Sequence, residues 1–169
     1  FLNLGEGFDA VAEAMAENAG GAIGPLLAAF FAEGGVVFEG QSIISAEGFR
    51  RFLVGGLTAV QDIGGAKPGD KSLLDALAPG TEAATGSNLE DLLQQAAVAA
   101  RAGAEKTSEM EAAHGRASFV AERSLGHQDA GANSVALILE TWLAYMRGSR
   151  AQGFEDRKEE SYQPPPGKL

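Results

Sequence analysis

The chain contains no cysteine. A disulfide scaffold, a thiolate metal site and a cysteine nucleophile are therefore excluded. No apolar run approaches the roughly 18 residues of a membrane-spanning helix, and no membrane association is expected. No basic segment followed by an apolar core marks a secretory leader, so a cytoplasmic location is expected. Positive charge is also scarce. Lys and Arg total 13 against 23 Asp and Glu, for a net charge of −10. A general nucleic-acid surface needs a basic face and is excluded. A small anion answers to a local patch instead and stays open. Strand-favouring Val, Ile and Tyr are thin, which removes most of the support for a sheet.

What remains is rich in alanine and leucine, the strong helix formers, and the composition leans all-α. A length of 169 residues fits one domain that buries a core without a structural metal. Glycine is the exception to an ordinary composition. The 23 glycines are about twice the usual share, and they fall in short clusters between apolar runs. Such clusters end helices and let backbone approach a ligand.

Gly7, Phe8, Val11 and Met15 give helical spacing within residues 1–15. Gly20-Gly21 followed by Pro25 marks a helix start, with Leu26, Leu27, Phe30 and Phe31 as its stripe and Gly34-Gly35 as its break. Ser45-Ala46-Glu47-Gly48 opens a helix through Phe49, Phe52, Leu53 and Leu57. Residues 64–69 read as a loop, after which Asp70 caps a helix that Pro79 stops. Asn88 with Asp91 resembles a capping box, and it starts a long helix with Leu89, Leu92, Leu93, Ala96, Ala97 and Ala100 on one face, running on past Met110. A helical turn near residues 119–125 and a loop at 126–131 precede the last core helix, with Val135, Ile138, Leu139, Trp142 and Met146. Residues 1–150 form the domain, and 151–169 read as a charged, proline-rich tail lying over the surface or extended.

Three glycine-bearing loops, Gly20-Gly21-Ala22, residues 64–70 and residues 126–131, each precede a helix. Antiparallel helices joined by short loops bring alternate loops to one end of a bundle. Free N–H groups and the helix dipole at those starts favour a phosphate. Glycine turns are common in helical proteins, so spacing alone leaves the ligand open.

The strings are more specific than the spacing. Gly65-Ala66-Lys67-Pro68-Gly69-Asp70-Lys71-Ser72-Leu73-Leu74-Asp75 resembles the G-K-A-x-P-G-D-K-T-M-x-D motif of the dihydroxyacetone kinase L subunit. His114-Gly115-Arg116-Ala117-Ser118-Phe119-Val120-Ala121-Glu122-Arg123-Ser124-Leu125-Gly126-His127-Gln128-Asp129-Ala130-Gly131-Ala132 resembles its K-G-R-A-S-Y-L-G-E-R-S-I-G-H-x-D-P-G-A motif. Gly20-Gly21-Ala22-Ile23-Gly24-Pro25-Leu26 resembles its G-G-A-S-G-P-L loop. Asn3 followed by Gly7-Phe8 resembles its H-G-x-N-M-x-x-G-F segment. The likeness runs, in order, over residues 1–146.

This resemblance implies an eight-helix antiparallel barrel that holds ADP or ATP at its loop end, with Mg²⁺ gripped by three aspartates. It implies a partner K subunit that holds dihydroxyacetone or a related short ketose, and a γ-phosphoryl group delivered from this side. In some systems a phosphotransferase-system protein recharges a bound ADP. Carried over, the nucleotide-binding residues are Asn3, Ala22 and Ile23 at the phosphates, Gly64 beside the nucleotide, Leu73 against the adenine, Arg116, and the Asp129-Ala130-Gly131 turn. An arginine fork suits phosphate oxygens, and an apolar side chain on a base plane supplies dispersion and excludes water. No covalent intermediate on this chain is implied. A homodimer is left open.

Three departures qualify the likeness. The D-x(4)-D-x-D metal motif belongs before Phe1, so the Mg²⁺ ligands are expected upstream. About a dozen residues separate Gly7-Phe8 from Gly20-Gly21, where the family carries roughly one helix more, so one helix of the barrel is expected to be missing. Ile23 stands where the family has a serine whose hydroxyl donates to a phosphate. The alternative function is therefore a regulatory or binding relative that keeps the barrel without full kinase chemistry. A carrier of an apolar ligand inside the barrel is a weaker third reading.

The remaining polar residues have plainer explanations. His127 reads as a loop-fixing hydrogen-bonder, His114 as surface, Asp70 as a helix cap and Glu122-Arg123 as a structural ion pair. Trp142 reads as core. Lys71 beside Asp70 could touch phosphate or metal.

Overall fold

In the computed structural model, residues 3–113 and 124–148 are described. The described residues form six α-helices and one 3-10 turn, with no strand among them. The helices are α1 (Leu4–Asn18), α2 (Ile23–Val37), α3 (Ala46–Gly64), α4 (Leu74–Ala83), α5 (Leu89–Lys106) and α6 (Ala130–Met146), with the 3-10 turn Thr107–Glu109 after α5. The all-α expectation holds, with six described helices against the eight of the barrel. The boundary at residue 150, the tail and the turn near 119–123 lie outside the described residues.

Helix starts follow local chemistry. The Ser45 hydroxyl accepts from the Gly48 N–H at 3.0 Å, and the Asn88 side chain accepts from the Asp91 N–H at 2.9 Å. Both satisfy donors that a helix start leaves open. Asn3 caps α1 in the same way, accepting from Glu6 N–H at 3.1 Å.

Two glycines expected to break the chain do not. Gly34 and Gly35 lie inside α2, facing α1. A Cβ on Gly34 would stand 2.2 Å from the Phe8 ring, and one on Gly35 would stand 1.9 Å from the Asp9 carboxylate. The absence of side chains there lets α1 and α2 approach closely. Pro79 also lies inside a helix, α4, rather than ending it. It has no N–H to offer the Asp75 carbonyl. Gly103 of α5 packs against that carbonyl so tightly that a Cβ would stand 2.0 Å from it. The α5 helix closes at Lys106 instead of passing Met110.

An aromatic cluster fills the core between α1, α2, α3 and α6. Phe30 and Phe52 meet at a tilt with 4.7 Å between centroids, and Phe8 and Phe38 stack at 5.2 Å. Trp142 meets Phe49 edge-on at 5.6 Å, half-buried at the edge of the core rather than inside it. On the other side, the small faces of Ala96, Ala97 and Ala100 are buried with Leu74 and Leu77.

Neighbouring helices run antiparallel, so the molecule has two ends. At one end lie the starts of α2, α4 and α6 and the finishes of α3 and α5. At the other, Arg50 near the start of α3 donates to the Ala84 and Gly86 carbonyls past α4, and Arg147 past α6 pairs with Glu90 at the start of α5.

Candidate nucleotide site

The first end gathers most of the residues singled out from the sequence. A Cβ built on Gly131 would meet Asp129 Oδ2 at 3.0 Å, Leu73 Cβ at 3.2 Å and Ile23 Cδ1 at 3.4 Å. Gly131 thus packs closely against residues of α2 and the 65–73 loop at the α6 start, where a side chain would force its neighbours apart. Gly64 belongs to the same end, since its Cβ would touch Leu26 Cδ2 at 3.2 Å. Ala22 and Ala130 are exposed beside it, Ile23 is half-buried and Leu73 is buried.

Asn3 is not brought here. The turn between α1 and α2 is only Ala19 to Ala22 long, with Gly21 at φ 74°. It folds the two helices into a hairpin. Leu4 N–H therefore donates to the Gln41 carbonyl at 2.8 Å, and Gly5 N–H to the Phe38 carbonyl at 3.1 Å, beyond the finish of α2. A helix of 15 residues is about 22 Å long at about 1.5 Å per residue, so Asn3 stands a helix length from Ile23. The short turn therefore runs α1 back along α2 and carries Asn3 away from this end. Arg116 lies outside the described residues, as do His114, Glu122 and Arg123.

The rim is held by local bonds. Asp129 begins α6, its carboxylate accepting from Ala132 N–H at 2.8 Å. Its own N–H donates to the Thr107 hydroxyl at 2.8 Å, tying α6 to the end of α5. Burial raises the Asp129 pKa above its ordinary value. The Ala132 and Gly131 amides oppose that shift, the Asp75 charge adds to it, and the Lys71 charge opposes it. His127 is exposed in the loop, its N–H donating to the Ser124 carbonyl at 3.3 Å.

Asp70 does not cap α4. Its carboxylate accepts from Lys67 N–H at 2.7 Å, closing its own turn. The α4 start is organised by Ser72 and Asp75 instead. Leu74 N–H donates to the Ser72 hydroxyl at 3.2 Å, and Ser72 N–H donates to Asp75 Oδ2 at 2.8 Å. This is a reciprocal capping arrangement, and the Ser-x-x-Asp spacing that announces it is present in the sequence. Asp75 also accepts from Gly69 N–H. By contrast, Ala22 at the start of α2 makes no side-chain cap bond. The α2 N-terminus therefore presents backbone amides and the positive end of its dipole to whatever sits at this rim.

The DAK2 domain family matches residues 1–144. The chain belongs to the DAK2 domain family. It is 34% identical over 128 residues to the ADP-binding subunit DhaL of the PEP-dependent dihydroxyacetone kinase of Escherichia coli, covering 73% of this chain and 61% of that protein. It is 32% identical over 141 residues to the corresponding subunit of dihydroxyacetone kinase 1 of Listeria innocua, covering 83% and 68%. It is 34% identical over 131 residues to the L-erythrulose 1-kinase of Mycolicibacterium smegmatis, covering 76% of this chain but 23% of that larger protein. The chain thus spans about two thirds of the length of the DhaL subunits. The DAK2 match covers both the glycine loops and the helices that present them.

No group of three His, Cys, Asp or Glu side chains among the described residues converges as a metal site. Among the same residues, no helix is long and apolar enough to cross a membrane.

Proposed function

We propose that this chain is the nucleotide-binding part of a dihydroxyacetone-type kinase. It holds ADP or ATP at the rim formed by the starts of α2, α4 and α6. A partner K subunit presents dihydroxyacetone or a related short ketose. The observation that carries this reading is the convergence at Gly131, where Ile23, Leu73 and Asp129 from three separate segments meet. A side chain on Gly131 would crowd all three. The similarity to ADP-binding subunits supports the choice of ligand.

In this reading the amides of Ala22 and Ile23 donate to phosphate oxygens at the uncapped α2 start. Gly64 gives close backbone approach, and Leu73 lies against the base. Asp129, Ala130 and Gly131 shape the wall opposite. Arg116 is assigned to the phosphates by resemblance alone. Bound ATP supplies the γ-phosphoryl group, and the chain's own work is to orient it and keep water out. The described residues do not fit a Mg²⁺ site, because no three acidic or imidazole side chains among them converge. The recharging of bound ADP by a phosphotransferase-system protein belongs to the same proposal, as does a cytoplasmic setting.

Ile23 favours a second reading. Its side chain has no donor where the family uses a hydroxyl, which suits a relative that keeps nucleotide binding and loses transfer. One experiment separates the two. The full protein is mixed with its K partner, Mg²⁺, ATP and a panel of short ketoses. Phosphorylated product supports the kinase. Nucleotide binding without product supports the regulator, and neither binding nor product overturns both.

A further inference from the structure

We propose that Lys71 is a positioning residue of the nucleotide rim, pegging Met110 and Ser124 to the 64–73 loop so that diphosphate affinity depends on its ammonium group. The inference rests on the nucleotide-binding reading above.

Lys71 is 3% exposed, where a lysine is rarely found without partners. Its Nζ donates to the Met110 carbonyl at 3.0 Å and also to the Ser124 carbonyl. Two further bonds close the same neck. Ala112 N–H donates to the Ser124 hydroxyl at 3.1 Å, and Ala113 N–H donates to the Asp70 carbonyl at 3.1 Å. The neck continues into the α6 start, because Gly126 N–H donates to the Ser108 carbonyl at 2.8 Å. One side chain therefore ties the loop before α4, the end of α5 and the approach to α6.

Packing alone does not account for a lysine here. An apolar side chain of similar length would fill the space without the cost of burying a charge. Lys71 is also the one non-glycine residue with positive φ among those described, at 59°. Left-handed backbone is unfavourable for a residue that carries a Cβ, and such strain gathers at functional sites. The ammonium has a second effect. Its charge acts against that of the Asp129 carboxylate. Without it, the Asp129 charge at the rim would repel a diphosphate uncompensated.

The test compares ADP and adenosine binding by calorimetry for the wild type, Lys71→Met and Lys71→Arg. Val60→Ala, in the α3 core at 1% exposure, serves as a control for lost stability. Lys71→Met is expected to weaken ADP about tenfold, the scale of one charge-assisted hydrogen bond, and to leave adenosine within about twofold. Lys71→Arg keeps the charge and should recover part of the loss. Val60→Ala should lower the melting temperature with the ADP-to-adenosine ratio unchanged. If Lys71→Met does not fold, Lys71→Gln removes the charge while keeping a donor and is read the same way. Equal ADP affinity in the wild type and the neutral variant overturns this inference alone, as does an equal loss for ADP and adenosine. A wild type that binds no ADP overturns the proposed function and this inference together.

Discussion

Gly103→Ala probes the contact that sets α4 against α5. The added Cβ would stand 2.0 Å from the Asp75 carbonyl oxygen, 3.1 Å from its carbon and 3.0 Å from Pro79 Cγ. The first of these atoms is backbone in mid-helix and cannot swing aside. Restoring van der Waals contact requires the helices to part by about 1 Å, which forfeits a quarter to a half of the dispersion at each facing atom. Overpacking of this kind costs about 1–3 kcal/mol and at times more, and the backbone partner places Gly103 at or above the upper end. Alanine regains about 1 kcal/mol of helix propensity, leaving a net loss near 2–3 kcal/mol. For a chain of this size that is about 4–12 °C in melting temperature. Thermal unfolding followed by circular dichroism reads it. Gly20→Ala is the control, since nothing lies within 4 Å of its Cβ, and it should stay within about 1 °C. A Gly103→Ala protein as stable as the Gly20→Ala protein would refute the account of why Pro79 is tolerated inside α4.

Asp129→Asn should stabilise the protein at neutral pH. The raised pKa means the folded state binds the proton more tightly than the unfolded chain. That stability is present below the ordinary carboxylate range and is lost as pH rises through the raised value. Asparagine keeps the cap without the charge, so its advantage in urea unfolding should shrink as pH falls from 7 to 4, and a constant difference would contradict it. Ile23→Ser restores a donor at the α2 start and should tighten ADP about tenfold, the worth of one hydrogen bond to a charged group; unchanged affinity in calorimetry would remove Ile23 from the phosphate pair. Phe52→Ala, fully buried and in ring contact with Phe8, Phe30, Phe38, Phe49 and Trp142, should cost about 3–5 kcal/mol. Urea denaturation checks it, and a loss under about 1 kcal/mol would mean the core collapses around the gap.

The helix starts at Ser45 and Asn88 were legible because each depends on one side chain and an amide three residues ahead. Pro79 and the Gly34-Gly35 pair were misread for the opposite reason. Their tolerance is decided by Gly103, Phe8 and Asp9 on other helices, which local pattern cannot reveal. The meeting of Ile23, Leu73 and Gly131 follows the alternation of antiparallel loops, and the glycine strings marked it. Asn3 failed the same logic. Its place is set by the four-residue turn before Ile23, which runs α1 back along α2. The capping role of Asp75 was signalled by Ser-x-x-Asp and overlooked in favour of Asp70. The burial of Lys71 had no local signal, since it rests on carbonyls far along the chain.

The central claim is that one polyphosphate sits at the end shared by the starts of α2, α4 and α6. Backbone amide shifts recorded by NMR during an ADP titration test it directly. The account predicts shifts at Ala22, Ile23, Gly64, Leu73 and Gly131, with Asn3, Gln41 and Asn88 at the far end unmoved. Shifts at the far end with the first set silent, or none at either end, would contradict it.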